Sequence, residues 1–316
     1  MNLQQLEYAL LIKKLGSFSK AAKRAQLTQS AISQQLTKLE QEAGFPIFER
    51  KTKPIRPTEK GQLFLEKAQL ATLAFHQLEE YTRSLAEEEE SSVTIGIIPT
   101  LAPYLVSFFI HDLAQRLPHI RLEVREMITK DIIRGIIDRE LNGGIIATPI
   151  TTAVDFSFQP LFYERFYLYV SYKHDLFKQQ QIALNDIKAG DLWLLNEGNC
   201  FSDQVNNMCG LEQPNLQRPS LAYHSNSIDA LRRIVEHKGG LTFLPELATL
   251  NVPTTQEDMI KELSGQKRAR EISLICHPNE PKREQLEQIC QLIQENLPSG
   301  VLKKGDKQIV STDLSF

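Results

Sequence analysis

The chain has 316 residues, 41% hydrophobic and 24% charged, with a formal net charge of −3 at neutral pH. That length supports two or three compact units, and the composition excludes collagen-like, low-complexity and disulfide-scaffold chains. No apolar run reaches the length of a bilayer span, no signal-peptide pattern opens the chain, and the cysteines number only four (Cys200, Cys209, Cys276, Cys290). A reducing, cytoplasmic compartment with no membrane association is therefore expected.

The charge is uneven. Residues 1–60 carry eleven Lys/Arg against five Asp/Glu, a net of +6 that leaves −9 on the remainder. A small basic unit joined to a larger acidic one suits a nucleic-acid-binding head. Leu3, Leu6 and Leu10, with Lys14, stand at helical spacing, so residues 2–14 are expected to form an amphipathic helix that Gly16 ends. Ser17 or Ser19 is expected to cap a second helix through 21–25. Thr28-Gln29-Ser30 opens a third, with Ile32, Leu36, Leu39 and Ala43 on one side. Gln29, Ser30, Ser33, Gln34 and Lys38 then face outward, where amide and hydroxyl groups can read base edges and Lys38 can meet phosphate. A helix–turn–helix with such a second helix enters a major groove. Residues 45–58 read as a basic, hairpin-like wing that brings Arg50, Lys53 and Arg56 near phosphate.

Thr58-Glu59-Lys60-Gly61 starts a long helix reaching about Glu89. Phe64, Ala68, Ala71, Phe75, Leu78, Thr82 and Leu85 alternate by four and three along it, a stripe suited to dimerisation. A second set, Leu63, Leu70, Leu73 and Tyr81, is expected to pack on the DNA-binding unit, and Glu87–Glu90 reads as a solvated hinge. From residue 93 the pattern turns α/β: strands at 93–98, 121–126 and 144–147 alternate with helices to about 116 and over 132–141. Such a βαβαβ unit forms a parallel sheet by right-handed crossovers, with Thr100 at a strand's C-terminal end, where ligands of these folds bind. Two strands, 156–161 and 166–171, are expected to lead into a second α/β unit with strands at 220–224 and 240–245 and a helix over 227–236. A strand over 270–276 and a helix over 281–297 return to the first. The polar tail after Ser299 reads as disordered.

The second unit holds the most informative stretch. Leu192-Trp193-Leu194-Leu195 reads as a buried strand, Gly198 breaks it, and Asn199 suits an N-cap. Cys200 then falls in the first helical turn, where backbone N–H groups and the helix dipole favour a thiolate. Cys209 lies nine positions on. In a helix their Cα atoms stand about 13–14 Å apart, whereas a disulfide tolerates about 7 Å. A bond between them would require the helix to unwind. Two buried and unrelated thiols have the same spacing.

The segments Phe18-Ser19-Lys20-Ala21-Ala22, Thr28-Gln29-Ser30-Ala31-Ile32-Ser33, Phe48-Glu49-Arg50 and Pro57-Thr58-Glu59-Lys60-Gly61 together resemble the LysR-type transcriptional regulators. The resemblance implies a winged helix–turn–helix, a long linker helix and two α/β regulatory subdomains like periplasmic binding proteins. The corresponding boundaries are 1–58, 59–90 and 91–300, the last divided into 91–161 plus 268–300 and 162–267, with 301–316 as the tail. Within the family, residues 96–105, Leu195-Asn196-Glu197-Gly198-Asn199-Cys200, Asp203-Gln204-Val205 and the position of Cys209 are similar to the OxyR-like hydrogen-peroxide sensors. That likeness implies that Cys200 is the peroxidatic thiol and Cys209 its resolving partner. It also implies that Thr100 and Thr129 hold peroxide and water, and that Arg270 stabilises the thiolate. Asn199 departs from that group, which often has His there, so activation falls more on the helix terminus and Arg270. Cys276 and Cys290 match no redox position.

The expected function is thus a DNA-binding activator that senses peroxide by reversible Cys200–Cys209 disulfide formation and regulates antioxidant genes. It is not an enzyme and calls for no cofactor or metal. Its expected partners are double-stranded operator DNA, hydrogen peroxide, further copies of itself in a dimer or tetramer, RNA polymerase, and a thiol reductant such as glutaredoxin or thioredoxin. A LysR-type regulator answering to a small organic ligand between the subdomains is the alternative, with both cysteines incidental. A thiol peroxidase with a DNA-binding appendage is disfavoured, because turnover needs neither the head nor the long helix.

Overall fold

The structure is a computed structural model, and it describes residues 1–49, 52–86, 91–196, 200–210, 225–312 and 314. The chain divides into two compact units, Met1–Glu89 and Glu90–Phe316. In the first, helices α1 (Leu3–Leu15), α2 (Phe18–Arg24) and α3 (Gln29–Ala43) precede a two-stranded wing, β1 (Phe48–Glu49) and β2 (Arg56–Pro57), and helix α4 (Glu59–Ala86). Local chemistry sets these boundaries. Asn2 and Gln5 form a reciprocal capping box on α1, Gly16 ends it in the left-handed region, and Ser17 and Thr28 cap α2 and α3. Glu40 fixes the wing to α3 by accepting the Ile47 and Phe48 amides at 2.7 and 3.2 Å.

Two expected faces in this unit are corrected. On α1 the buried residues are Gln5, Leu6, Ala9 and Ile12, while Lys14 is exposed. On α4 the inward face is Gly61, Leu65, Ala68 and Thr72, with Phe64 packed partly against the same core. Leu63, Leu70, Phe75 and Leu78 are exposed. So Phe64 and Ala68 belong to the chain's own core, and the set expected to pack inward supplies exposed leucines. Gly61 accounts for the choice. A Cβ there would lie 2.0 Å from the Ile47 carbonyl oxygen, so this helix face alone comes so close to the wing. The side chains of Leu73, Tyr81 and Leu85, and residues 87–90, lie outside the described residues.

The second unit opens with β3 (Ser91–Ile97), α5 (Ala102–Arg116), β4 (Ile120–Glu126), α6 (Thr129–Ile137) and β5 (Gly143–Thr148). The pairs β3–β4 and β3–β5 are parallel, as the βαβαβ pattern requires. Helix α6 begins at Thr129, three residues before the expected start. The chain continues through β6 (Ser157–Val170), β7 (Gln181–Ile182), β8 (Leu192–Trp193), α7 (Cys200–Cys209), α8 (Ile228–Lys238), β9 (Leu241–Pro245), α9 (Glu246–Thr249) and β10 (Ile260–Leu263). It returns as β11 (Arg268–Cys276), α10 (Arg283–Asn296), α11 (Ser299–Leu302) and β12 (Gln308–Ile309). The strand expected at 220–224 lies outside the described residues.

Strand β6 replaces the two strands expected over 156–171. Its first part pairs antiparallel with β11, from Ser157↔Cys276 to Arg165↔Ala269, and its second part pairs with β9 and β10. One strand therefore serves both halves of the sheet, whose order is β4-β3-β5-β11-β6-β10-β7. The expected break at 161/162 falls inside it. The polar residues Tyr163-Glu164-Arg165 fall between the two expected strands, but they are held in the ladder opposite β11.

The tail is also corrected. Residues after Ser299 form α11 and then β12, which lies parallel on β11 with Arg268↔Gln308 and Ala269↔Ile309 in register. Thr312 is fully buried, and Val310 and Leu314 pack against the core. The segment is polar in composition because its partners are backbone and amide groups, which a hydropathy reading does not register.

Candidate functional site

The third helix and wing present the expected polar face. Gln29, Ser30, Gln34 and Lys38 are exposed, Ser33 is half-buried, and Lys53 and Arg56 are exposed on the wing. Arg50 lies outside the described residues. Gln29 is tied back to α2, its Oε1 accepting from Ser19 Oγ at 2.6 Å, and the Ser30 hydroxyl pairs with Thr28 at 3.0 Å. Gln34 and Lys38, one turn apart, are then the exposed long side chains at the centre of this face.

In the second unit, Cys200 is the first helical residue of α7 and only 2% exposed. Around it gather Arg270 from β11, Thr129 from the start of α6, and the backbone at Ala147 in β5. Arg270 is the largest fully buried side chain of the chain's described residues. Its Nε donates to Glu164 Oε1 at 2.7 Å, Nη2 reaches the same oxygen at 2.6 Å, Nη1 donates to Thr100 Oγ1 at 2.8 Å, and Nη2 donates to the Thr100 carbonyl at 3.1 Å. Glu164 Oε2 accepts the Leu247 amide at 3.2 Å. The Phe201 ring lies 5.1 Å from the guanidinium carbon and stacks on Phe166 with centroids 5.3 Å apart. Phe201 thereby joins the cysteine helix to the charged pair.

Burial pushes the Cys200 thiol above its ordinary range. Arg270 opposes this, with smaller help from the Thr129 hydroxyl and the Ala147 backbone, while Asp203 adds to the rise. Desolvation is the larger effect, and Arg270 is the main group that favours the thiolate against it. The Thr129 hydroxyl lies close enough to lower the thiol as a hydrogen-bonding neighbour, yet it makes no hydrogen bond of good geometry, so a buried hydroxyl is under-satisfied beside the thiol. It gains a full acceptor once the sulfur is ionised. The Thr100 hydroxyl accepts one bond from Arg270 Nη1 and retains an O–H to donate.

Cys209 closes the same helix, half-buried, and burial pushes its thiol up to about 11, with Arg268 opposing. Across the about 13–14 Å of an intact helix of this length, the two sulfurs cannot bond. Cys276 and Cys290 are buried in the core, and burial raises both. Among the described residues no group of three or more His, Cys, Asp or Glu is placed to hold a metal ion, and no helix is long and apolar enough to cross a membrane.

Residues 3–62 match the family described as bacterial regulatory helix-turn-helix protein, lysR family, and residues 86–298 match the LysR substrate binding domain. The chain is a LysR-family transcriptional regulator. Members of this family are transcription factors rather than enzymes. The regulator is similar to the hydrogen peroxide-inducible genes activator of Haemophilus influenzae, 27% identical over 300 residues that span 95% of this chain and 98% of that one. It is also similar to a full-length OxyR variant from Pseudomonas aeruginosa, with TM-score 0.71 and 26% identity over 95% and 96% of the two chains. An OxyR crystal structure from Porphyromonas gingivalis matches at TM-score 0.63 and 28% identity, covering 70% of this regulator and 99% of that chain. This regulator is therefore OxyR-like. Its segment 308–314 lies beyond the matched substrate-binding residues.

Sequence reading missed Glu164, Gln204 and the last residues of the chain. Glu164 carries a legible signal: it interrupts the apolar run of β6, where an unpaired carboxylate would be too costly to bury. Gln204 stands in a segment that resembles the peroxide sensors, but nothing in its residue type signals burial, because a glutamine on a short helix is ordinarily exposed.

Proposed function

We propose that this regulator senses hydrogen peroxide through Cys200 and Cys209, and that the redox state of α7 controls its action on antioxidant genes. The observation that carries this reading is the convergence of Arg270 from β11 and Thr129 from α6 on a cysteine at a helix terminus, with Thr100 bonded to Arg270. Once deprotonated, the Cys200 sulfur attacks the peroxide. An S–O bond forms, the O–O bond breaks, and hydroxide leaves to take a proton and become water, while sulfur loses two electrons. Arg270 and Thr129 favour the thiolate, and Thr100 and Thr129 are suited to donate to the peroxide oxygens. Cys209 then attacks the sulfenic sulfur; S–S forms, S–O breaks, and a second water leaves. Unwinding α7 does two things at once: it brings Cys209 within reach and returns its buried thiol to water, which lowers its pKa.

The rebuilt segment removes Phe201 from Phe166, changing the surface of the second unit and so the pairing of copies. The exposed Leu63, Leu70, Phe75 and Leu78 on α4 suit a second copy of the chain, giving a dimer or, through the second unit, a tetramer on paired operator half-sites. Contact with RNA polymerase, reduction by a glutaredoxin- or thioredoxin-type thiol, and a cytoplasmic location complete the reading. The organic-ligand alternative loses ground because Thr100, the expected cleft residue, is buried with its oxygens bonded to Arg270. Substoichiometric peroxide followed by peptide mapping is the test. Oxidation concentrated on Cys200, and lost in Cys200→Ser, is expected; oxidation spread across all four cysteines would overturn the reading.

A further inference from the structure

We propose that the C-terminal residues 308–312, with Leu314, are a strap that positions α7, setting the rate of Cys200–Cys209 disulfide closure without affecting the attack on peroxide; this rests on the two-cysteine reading above. The strap is fixed at both ends. At one end β12 lies on β11 immediately before Arg270, with the Gln308 amide donating to the Lys267 carbonyl and the Val310 amide to the Ala269 carbonyl, both at 2.9 Å. At the other end Thr312 Oγ1 donates to the Pro149 carbonyl at 2.7 Å, and the Leu314 carbonyl accepts the Thr151 amide at 2.9 Å. Both anchors are strands or strand ends of the first α/β half.

Between them the strap crosses the cysteine helix. Gln204 Nε2 donates to the Val310 carbonyl at 2.8 Å, and Asn207 Nδ2 to the Ser311 carbonyl at 3.1 Å. Gln204 and Asn207 are three apart, so they share one face of α7. That helix has ten residues and is too short to persist by its own propensity. Its order depends on what it touches, and the strap is one of its contacts. Gln204 is fully buried, so its amide cannot exchange the Val310 carbonyl for water while the helix stands.

The two chemical steps differ in what they ask of α7. Sulfenic acid formation needs Cys200 in its pocket with the helix intact. Disulfide closure needs the helix unwound, and Gln204 and Asn207 must then leave the Val310 and Ser311 carbonyls. The strap therefore opposes the second step alone. It prolongs the sulfenic state, and closure in turn releases the strap.

The test compares the full chain with a chain ending at Lys307 and with Asn207→Ala, each reduced, mixed with equimolar hydrogen peroxide, quenched with a thiol-blocking reagent and mapped by mass. Sulfenic acid should form at Cys200 within about twofold of the same rate in all three. Disulfide closure should be about tenfold faster in the shortened chain, about 1.4 kcal/mol, and about threefold faster in Asn207→Ala. Hydrogen exchange of 200–209 in the reduced proteins should rise in the same order. Asn207 is exposed, so its truncation spares the core and keeps the test valid should the shortened chain misfold. Unchanged closure and exchange in Asn207→Ala, with normal sulfenic acid at Cys200, would overturn the strap and leave the sensor intact. Absence of sulfenic acid at Cys200 in the unmodified chain would sink the sensor and the strap together.

Discussion

Phe201→Leu perturbs the reduced form at the point where α7 meets the buried ion pair. The Phe201 ring stacks on Phe166 at 5.3 Å with an interplanar angle of 30°, and lies 5.1 Å from the Arg270 guanidinium carbon. An aromatic pair contributes about 0.5–1.5 kcal/mol beyond area burial, and a desolvated cation–π contact about 0.5–2 kcal/mol. Leucine keeps most of the apolar volume, so the loss to the closed helix is about 1–3 kcal/mol, or about 5- to 150-fold in the closed-to-open ratio. Where opening is a rapid equilibrium before closure, the disulfide should form faster by the same factor. Quenched-flow alkylation with mass mapping separates this from sulfenic acid formation, which Arg270, still held by Glu164 and Thr100, should sustain. The matching equilibrium signature is a lower melting temperature of the reduced protein. A lowered melting temperature with an unchanged closure rate would refute the reasoning, because α7 opening would then not limit the bond.

Further outcomes are expected for oxidation, DNA binding and assembly. Because burial raises the Cys200 pKa, the thiolate fraction lies on its rising limb below pH 9, so peroxide oxidation should accelerate about tenfold per pH unit from 6 to 8; a flat profile would indicate a standing thiolate. Arg270→Met, which removes the main opposing charge, should slow oxidation at every pH in that range. On DNA, Lys53→Ala or Arg56→Ala should weaken binding to all sequences and reduce the salt slope by about 0.9 per lost phosphate contact, whereas Gln34→Ala should relax sequence preference. Equal salt slopes in a titration at several ionic strengths would remove the wing from the interface. Charge at both Leu70 and Leu78 should yield smaller species in sedimentation and lower operator affinity; an unchanged assembly would move the interface off this face of α4.

Much of the architecture was legible because it is local. Capping residues, the glycine after α1, the apolar period of α3 and the strand–Gly–Asn–Cys order before α7 act over a few positions, and they fixed α1 to α3, the wing, the βαβαβ unit and a helix beginning at Cys200. The family-specific segments named the class of regulator and singled out Cys200, Thr100, Thr129 and Arg270. Tertiary structure alone decided four other matters. The inward face of α4 followed from Gly61 meeting the Ile47 carbonyl, a contact no helical period contains. The unbroken course of β6 followed from pairing with β11, which holds polar Tyr163-Glu164-Arg165 extended. The direction of the Cys200 pKa shift was set by desolvation outweighing Arg270, a balance that depends on burial rather than on residue type. The order of the tail came from its pairing on β11 and its bonds to Pro149 and Thr151, and its backbone also meets the side chains of Gln204 and Asn207, about a hundred residues earlier in the chain. Sequence patterns register what a residue does to its neighbours along the chain; these four depend on partners that only folding brings within reach.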